Sequence, residues 1–150
     1  MKKIGIIFSF VFFGLASQNL QAQDYKTALG IRISSVDAVV NHSVTFRQFI
    51  TESFAAEGLL SFSDPGAFGI LLESFKPIGG QSFTWFWGVG PYVGFSENYK
   101  FGVQGALGLD LKFPSLPVNL SIDWKPELNF TKVFSFEPAA VGLSARFVFR

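Results

Sequence analysis

From Leu107 to Phe130 the chain alternates apolar and polar residues almost without error. Leu107, Leu109, Leu111 and Phe113 share one parity. After the turn Pro114-Ser115-Leu116-Pro117 the same parity carries Val118, Leu120, Ile122, Trp124, Pro126, Leu128 and Phe130. The other parity carries Gly108, Asp110 and Lys112, then Asn119, Ser121, Asp123, Lys125, Glu127 and Asn129. Successive side chains of a strand point to opposite faces, so these strands are apolar on one face and charged on the other. Strands this long, this two-faced and this aromatic suit hydrocarbon on one side and a polar interior on the other.

The N-terminus reads as an export signal. Lys2 and Lys3 form the basic start, Ile4 to Ala16 the apolar stretch, and Ser17 to Ala22 the polar approach to a small residue. Cleavage after Ala22 leaves a domain over residues 23–150. The apolar run, about 13 residues, is short of the roughly 20 that a spanning helix needs. Without Lys2 and Lys3 the formal charge moves from +1 to −1, which gives no reason to expect nucleic acid as a partner. The chain has no cysteine and one histidine, so neither disulfides nor a zinc site is expected, and no cofactor is implied. Twenty phenylalanines with only 15% charged residues would be hazardous on a water-exposed surface, and suit a surface that meets lipid.

Turn residues divide the chain into eight strand candidates, over 27–34, 43–50, 55–62, 68–76, 82–95, 100–113, 117–130 and 139–149. The expected fold is all-β: an eight-stranded antiparallel up-and-down transmembrane β-barrel with a polar lumen filled by side chains. An even strand count behind an exported N-terminus puts both chain ends on one side. The connections at 35–42, 63–67, 96–99 and 131–138 then face the other side as short outward loops.

Parity also places the charges. Arg32, Arg47, Glu57, Glu73, Asp110, Lys112, Asp123, Lys125, Glu127 and Arg146 fall on the polar face, five basic and five acidic. They are expected to form a structural ionic network, because buried charges are tolerated when paired and hydrogen-bonded. None stands in mid-strand on the apolar face, where an Arg or Lys would cost about 2–4 kcal/mol at a bilayer midplane. Soluble lipocalin-type barrels also have eight strands but reverse the faces. Residue size separates the two. Gly30, Gly58, Gly88, Gly90, Gly94, Gly102, Gly108 and Gly142 are assigned to the polar face, and bulky Phe and Trp residues to the apolar one. An eight-stranded barrel encloses too little space for a dozen aromatic side chains. Trp85, Trp87 and Trp124 fall on the lipid-facing parity, as membrane-interface anchors.

These features resemble the small eight-stranded outer-membrane barrels of Gram-negative bacteria, the OmpA/OmpX-like class of porin-family domains. The resemblance runs from Tyr25 to Arg150. It rests on Ala28-Leu29-Gly30-Ile31-Arg32, on Ala56 to Phe62, on Trp87 to Phe95 and on Leu120 to Pro126. The closing stretch Gly142 to Phe149 is similar to the terminal strand read by the barrel-insertion machinery, although Arg150 follows the last aromatic residue. The resemblance implies a cell outer-membrane location, with lipid and the insertion machinery as partners. It does not imply an activity.

Candidate chemistry is sparse. His42 and Ser43 are the one histidine-based pair, but adjacent strand residues point to opposite faces. Asp123 and Glu127 lie four apart on one strand, about 13 Å, too far for two-carboxylate hydrolysis. The expected role is a non-enzymatic integral outer-membrane barrel, structural or surface-interacting, with no open pore. A lipid-modifying or lipid-binding outer-membrane barrel and a secreted lipocalin-like binder stand as alternatives.

Overall fold

In the computed structural model, residues 25–149 are described apart from 36, 37, 65, 81, 98, 132 and 139. The expected export signal at 1–22 lies outside the described residues. The alternating segments form β1 (Thr27–Ser34), β2 (Ser43–Thr51), β3 (Phe54–Ser61), β4 (Gly66–Pro77), β5 (Phe83–Phe95), β6 (Lys100–Lys112), β7 (Val118–Trp124), β8 (Glu127–Asn129), β9 (Ser135–Glu137) and β10 (Val141–Phe149). Every pairing is antiparallel, and no described residue is helical.

Ten ladder segments make eight staves. β7 and β8 both pair with β6 in one continuous register, with Leu107 opposite Trp124 and Gln104 opposite Glu127. Pro126 interrupts the ladder because it has no N–H, while its carbonyl still accepts from the Gly105 amide at 2.9 Å. The last stave breaks for a different reason. Opposite the three steps from Trp124 to Glu127 it takes four, from Val141 back to Glu137, which is the extra residue of a bulge. The expected break at 135–138 is therefore partly strand: β9 extends the final hairpin and shortens its loop.

β1 pairs with both β2 and β10, and β5 with both β4 and β6, so the sheet closes on itself as an eight-stranded antiparallel barrel. The stagger follows from the partners. From Phe83 the path runs through Leu111, Leu120, Ala145, Ile31, Val44, Leu60 and Phe68 and returns to β5 at Val93, ten residues along. With strands about 4.8 Å apart and a rise of about 3.3 Å per residue, that stagger tilts them about 40° from the barrel axis.

The two faces separate by chemistry. Leu29, Ile31, Ile33, Leu109, Ile122 and Leu143 are exposed on the outside, Ile31 at 56%. Arg32, Arg47, Glu57, Glu73, Asp110 and Arg146 are buried inside. Gly58 is an exception to the assigned parity: it follows inward Glu57 and lies on the outer face, where an added Cβ would find only the Phe46 carbonyl, at 3.9 Å. The small-residue interior expected from size also needs correction. Phe49, Phe75, Phe86, Leu59, Leu71 and Tyr92 all point inward and are buried.

Candidate functional site

The inward side chains form three layers along the barrel axis. The end where β1 begins and β10 finishes, with the β2–β3, β4–β5 and β6–β7 connections, is closed by aromatic rings. Tyr25 meets Phe49 edge-on at 5.3 Å, Phe49 meets Phe75 at 5.0 Å, and Phe75 stacks on Phe86 at 5.1 Å. Such pairs contribute roughly 0.5–1.5 kcal/mol each beyond the area they bury. Gly108 makes room for this layer, since a Cβ there would sit 2.6 Å from the Phe86 ring.

The middle layer is a closed ring of charge. Arg47 on β2 donates to Asp110 on β6 at 2.8 Å and to Glu57 on β3 at 3.4 Å. Arg146 on β10 donates to the same Glu57 at 2.5 Å. Arg146 also donates to Asn119 on β7 at 3.3 Å, and Asn119 donates to Asp110 at 2.7 Å, which completes the circuit. Glu73 on β4 lies 2.9 Å from Arg47 Nε, an ionic contact in which the N–H is not aimed at the carboxylate oxygen. Lys125 adds a third cation, 3.5 Å from Glu57. Three cations thus face three carboxylates with no accessible surface on the arginines and acids. The Arg47 guanidinium also lies over the Phe75 and Phe86 rings, 5.0 and 5.3 Å from their centroids, which joins this layer to the aromatic one.

Arg32 and Arg146 stand on adjoining strands but diverge. Arg146 turns to Glu57, Thr45 and Ser121. Arg32 clasps Asp123 through Nε and Nη2, at 3.1 and 2.7 Å. Gly142 permits this, because a Cβ there would collide with the Arg32 guanidinium.

The third layer lies at the loop end. The connection between β1 and β2 stands on the side expected for it, but Ala38, Val39, Val40 and Asn41 are buried. The chain folds back into the barrel mouth, and the Glu127 carboxylate accepts the amides of Val39 and Val40 at 2.8 and 2.9 Å. Glu127 therefore holds backbone rather than joining the cations. Val39 rests on Gly94, where a Cβ would come within 2.7 Å of its Cγ1. Lys112 also stands apart from the ion pairs: half-buried, its Nζ lies over the Tyr25 and Phe49 rings at 5.1 and 5.0 Å.

Of the ten charges placed inside by parity, eight meet as ion pairs, and Glu127 and Lys112 are used otherwise. The missed residues are the inward aromatics and the folded loop. Both left a signal: Phe49 and Phe75 lie two residues beyond Arg47 and Glu73, and Ala38-Val39-Val40 is an apolar run inside a loop. Trp85, Trp87 and Trp124 do face outward. Trp87 and Trp124 flank Leu107 within the apolar belt rather than at its rim, and Trp85 carries the Lys76 ammonium 5.7 Å from its ring.

His42 and Ser43 are separated as alternation requires. Ser43 is buried, and exposed His42 accepts the Ser34 amide on Nδ1 at 3.1 Å. The mouth also holds a cavity of about 620 Å³ lined by Ala38, Val39, Asn41, His42, Asp64 and Lys100, among others. No family model, curated protein or solved structure matches the chain.

Proposed function

We propose that this chain is an integral outer-membrane protein: an up-and-down transmembrane barrel of the small OmpA/OmpX-like class, exported by its N-terminal signal and inserted by the barrel-assembly machinery. Its role is structural or surface-interacting, without catalysis and without an open pore. The observation that carries this reading is the inversion of polarity. Eight buried charges pair inside while large aliphatic and aromatic side chains cover the outside. Water as the outer solvent would favour the opposite arrangement, and hydrocarbon favours this one.

The filled lumen supports the absence of a pore, because Arg47, Glu57, Glu73, Gln104 and Asp110 have no exposed surface at mid-barrel. The separation of exposed His42, bound to the Ser34 amide, from inward, buried Ser43 speaks against the lipid-modifying alternative. The lipocalin-like alternative needs an apolar interior, and a ring of three cations and three acids occupies that space instead.

Cell fractionation combined with a heat-modifiable gel shift tests the reading directly. Recovery in the outer membrane, with a compact band that slows on boiling, is the expected result. Recovery as a soluble protein without detergent would overturn it. In refolding titrations into vesicles, Leu109→Arg or Ile122→Arg should lower stability by about 2–4 kcal/mol, whereas Ser144→Ala, inside the lumen, should change it little.

A further inference from the structure

The apolar exterior is lopsided. On strands tilted about 40°, each residue adds about 2.5 Å of height along the barrel axis. The outward apolar positions of β5 run from Phe83 to Phe95, about 30 Å. On β2 they run only from Val44 to Ile50, about 15 Å. The lower rims are level, so the difference lies at the loop end. There Phe95, Phe101, Phe130, Phe134 and Phe136 form a ridge above the rim of β1 and β2. Phe130 sits 6.4 Å from Phe101 and 6.2 Å from Phe134, and every member of the ridge is at least half exposed, from 51% to 66%.

We propose that this ridge is a lipid-docking surface, and that the barrel leans toward it to seat it in the interfacial layer of the membrane. The proposal rests on the membrane reading above. Three observations favour lipid as the occupant. The ridge continues the belt on the same strands and the same outward parity, from Leu107 and Val103 to Phe101 and from Trp124 and Leu128 to Phe130. Of the charges on the paired strands beside it, Lys100 and Glu137 alternate to the lumen side.

The third observation is on the opposite side. An upright barrel in a hydrocarbon layer about 25 Å thick would submerge exposed His42 and Ser35, which stand only about 20 Å above the lower rim. Leaning toward the ridge lifts these polar residues and lowers the phenylalanines together. The average of the tall and short sides, about 23 Å, is close to the thickness a bilayer covers.

The chain has no cysteine, so single cysteines at Leu109, Phe130, Phe136 and Ser35 can carry nitroxide labels in the full protein refolded into phosphatidylcholine vesicles. Collision with oxygen reports lipid, and collision with a water-soluble nickel chelate reports solvent. The labels at Phe130 and Phe136 should favour oxygen over nickel as Leu109 does, roughly tenfold more than the label at Ser35. If Phe130 and Phe136 favour nickel while Leu109 favours oxygen, the ridge stands clear of the bilayer, available to a protein partner, and the proposal fails although the membrane reading survives. If Leu109 itself favours nickel, the membrane reading falls and the proposal with it. All four sites lie outside the lumen, and the heat-modifiable shift of each labelled protein verifies folding before its label is read.

Discussion

The two ends of the lumen are closed by different physics. At the end where β1 begins and β10 finishes, side chains close it: Tyr25, Phe49, Phe75 and Phe86 pack ring against ring across the barrel, and Lys112 lies over Tyr25 and Phe49. At the other end, backbone closes it: the segment around Val39 and Val40 turns inward and hands two amides to Glu127. The aromatic closure is built from residues that the barrel orders in any case. The loop closure must also order a connection that the sheet does not hold. It therefore has the lower local stability, since the opening of a short loop breaks few contacts compared with the opening of strands.

The largest effect is expected in the layer that the two ends share. Glu57 contacts Arg146, Arg47 and Lys125, so Glu57→Ala would leave three buried cations facing two acids. Unfolding in detergent or vesicles should show a loss of about 5 kcal/mol, at the upper end for breaking a buried pair. Unchanged stability would mean that the ring is not what holds the staves together. Next comes the aromatic end. Phe49→Ala should cost about 3 kcal/mol and weaken the whole barrel cooperatively, because Phe49 packs between Tyr25 and Phe75. A loss confined to that end, with the remaining strands still protected from hydrogen exchange, would contradict this.

Changes at the loop end should be smaller and local. Gly94→Ala places a methyl group against Val39, and should cost about 1–2 kcal/mol. Amide exchange should speed up at residues 38–41 while the rates of β4 and β5 stay unchanged. The mildest is Glu127→Gln, which keeps the shape but replaces one of the two acceptor oxygens with an NH2 donor, so that one of the two amides loses its partner. It should lower global stability by about 1 kcal/mol, with faster exchange at Val39 and Val40 as its main signature. If Glu127→Gln unfolded the barrel as readily as Glu57→Ala, the distinction between the two ends would collapse.

Much of this arrangement was legible before any coordinates. Alternation placed Arg47, Glu57, Glu73, Asp110, Asp123 and Arg146 inside because a strand's side-chain direction depends only on the parity of the residue number. The same rule places Phe49 and Phe75 inside, two residues from Arg47 and Glu73. Their size does not exclude them, because the lumen is not uniform. The rings fit because they concentrate in one layer, where Gly108 pairs with Phe86 and Ala55 with Phe49. Gly58 breaks the pattern of inward small residues, because it follows inward Glu57 on β3 and so faces out.

What the sequence determined by itself is local: eight staves, which face of each meets which environment, and the absence of charge from the outer mid-strand positions. Each follows from the two-residue period of side-chain direction along a strand. The tertiary structure decided what joins distant positions. Closure of β1 on β10 and the ten-residue stagger determine that Arg146 reaches Glu57 while Arg32, two residues further along the neighbouring strand, reaches Asp123. The capture of the Val39 and Val40 amides by Glu127, 88 and 87 residues away, depends on that closure too. No local pattern encodes these pairs, because the partners come within hydrogen-bond range only after the stagger has brought their strands around the ring.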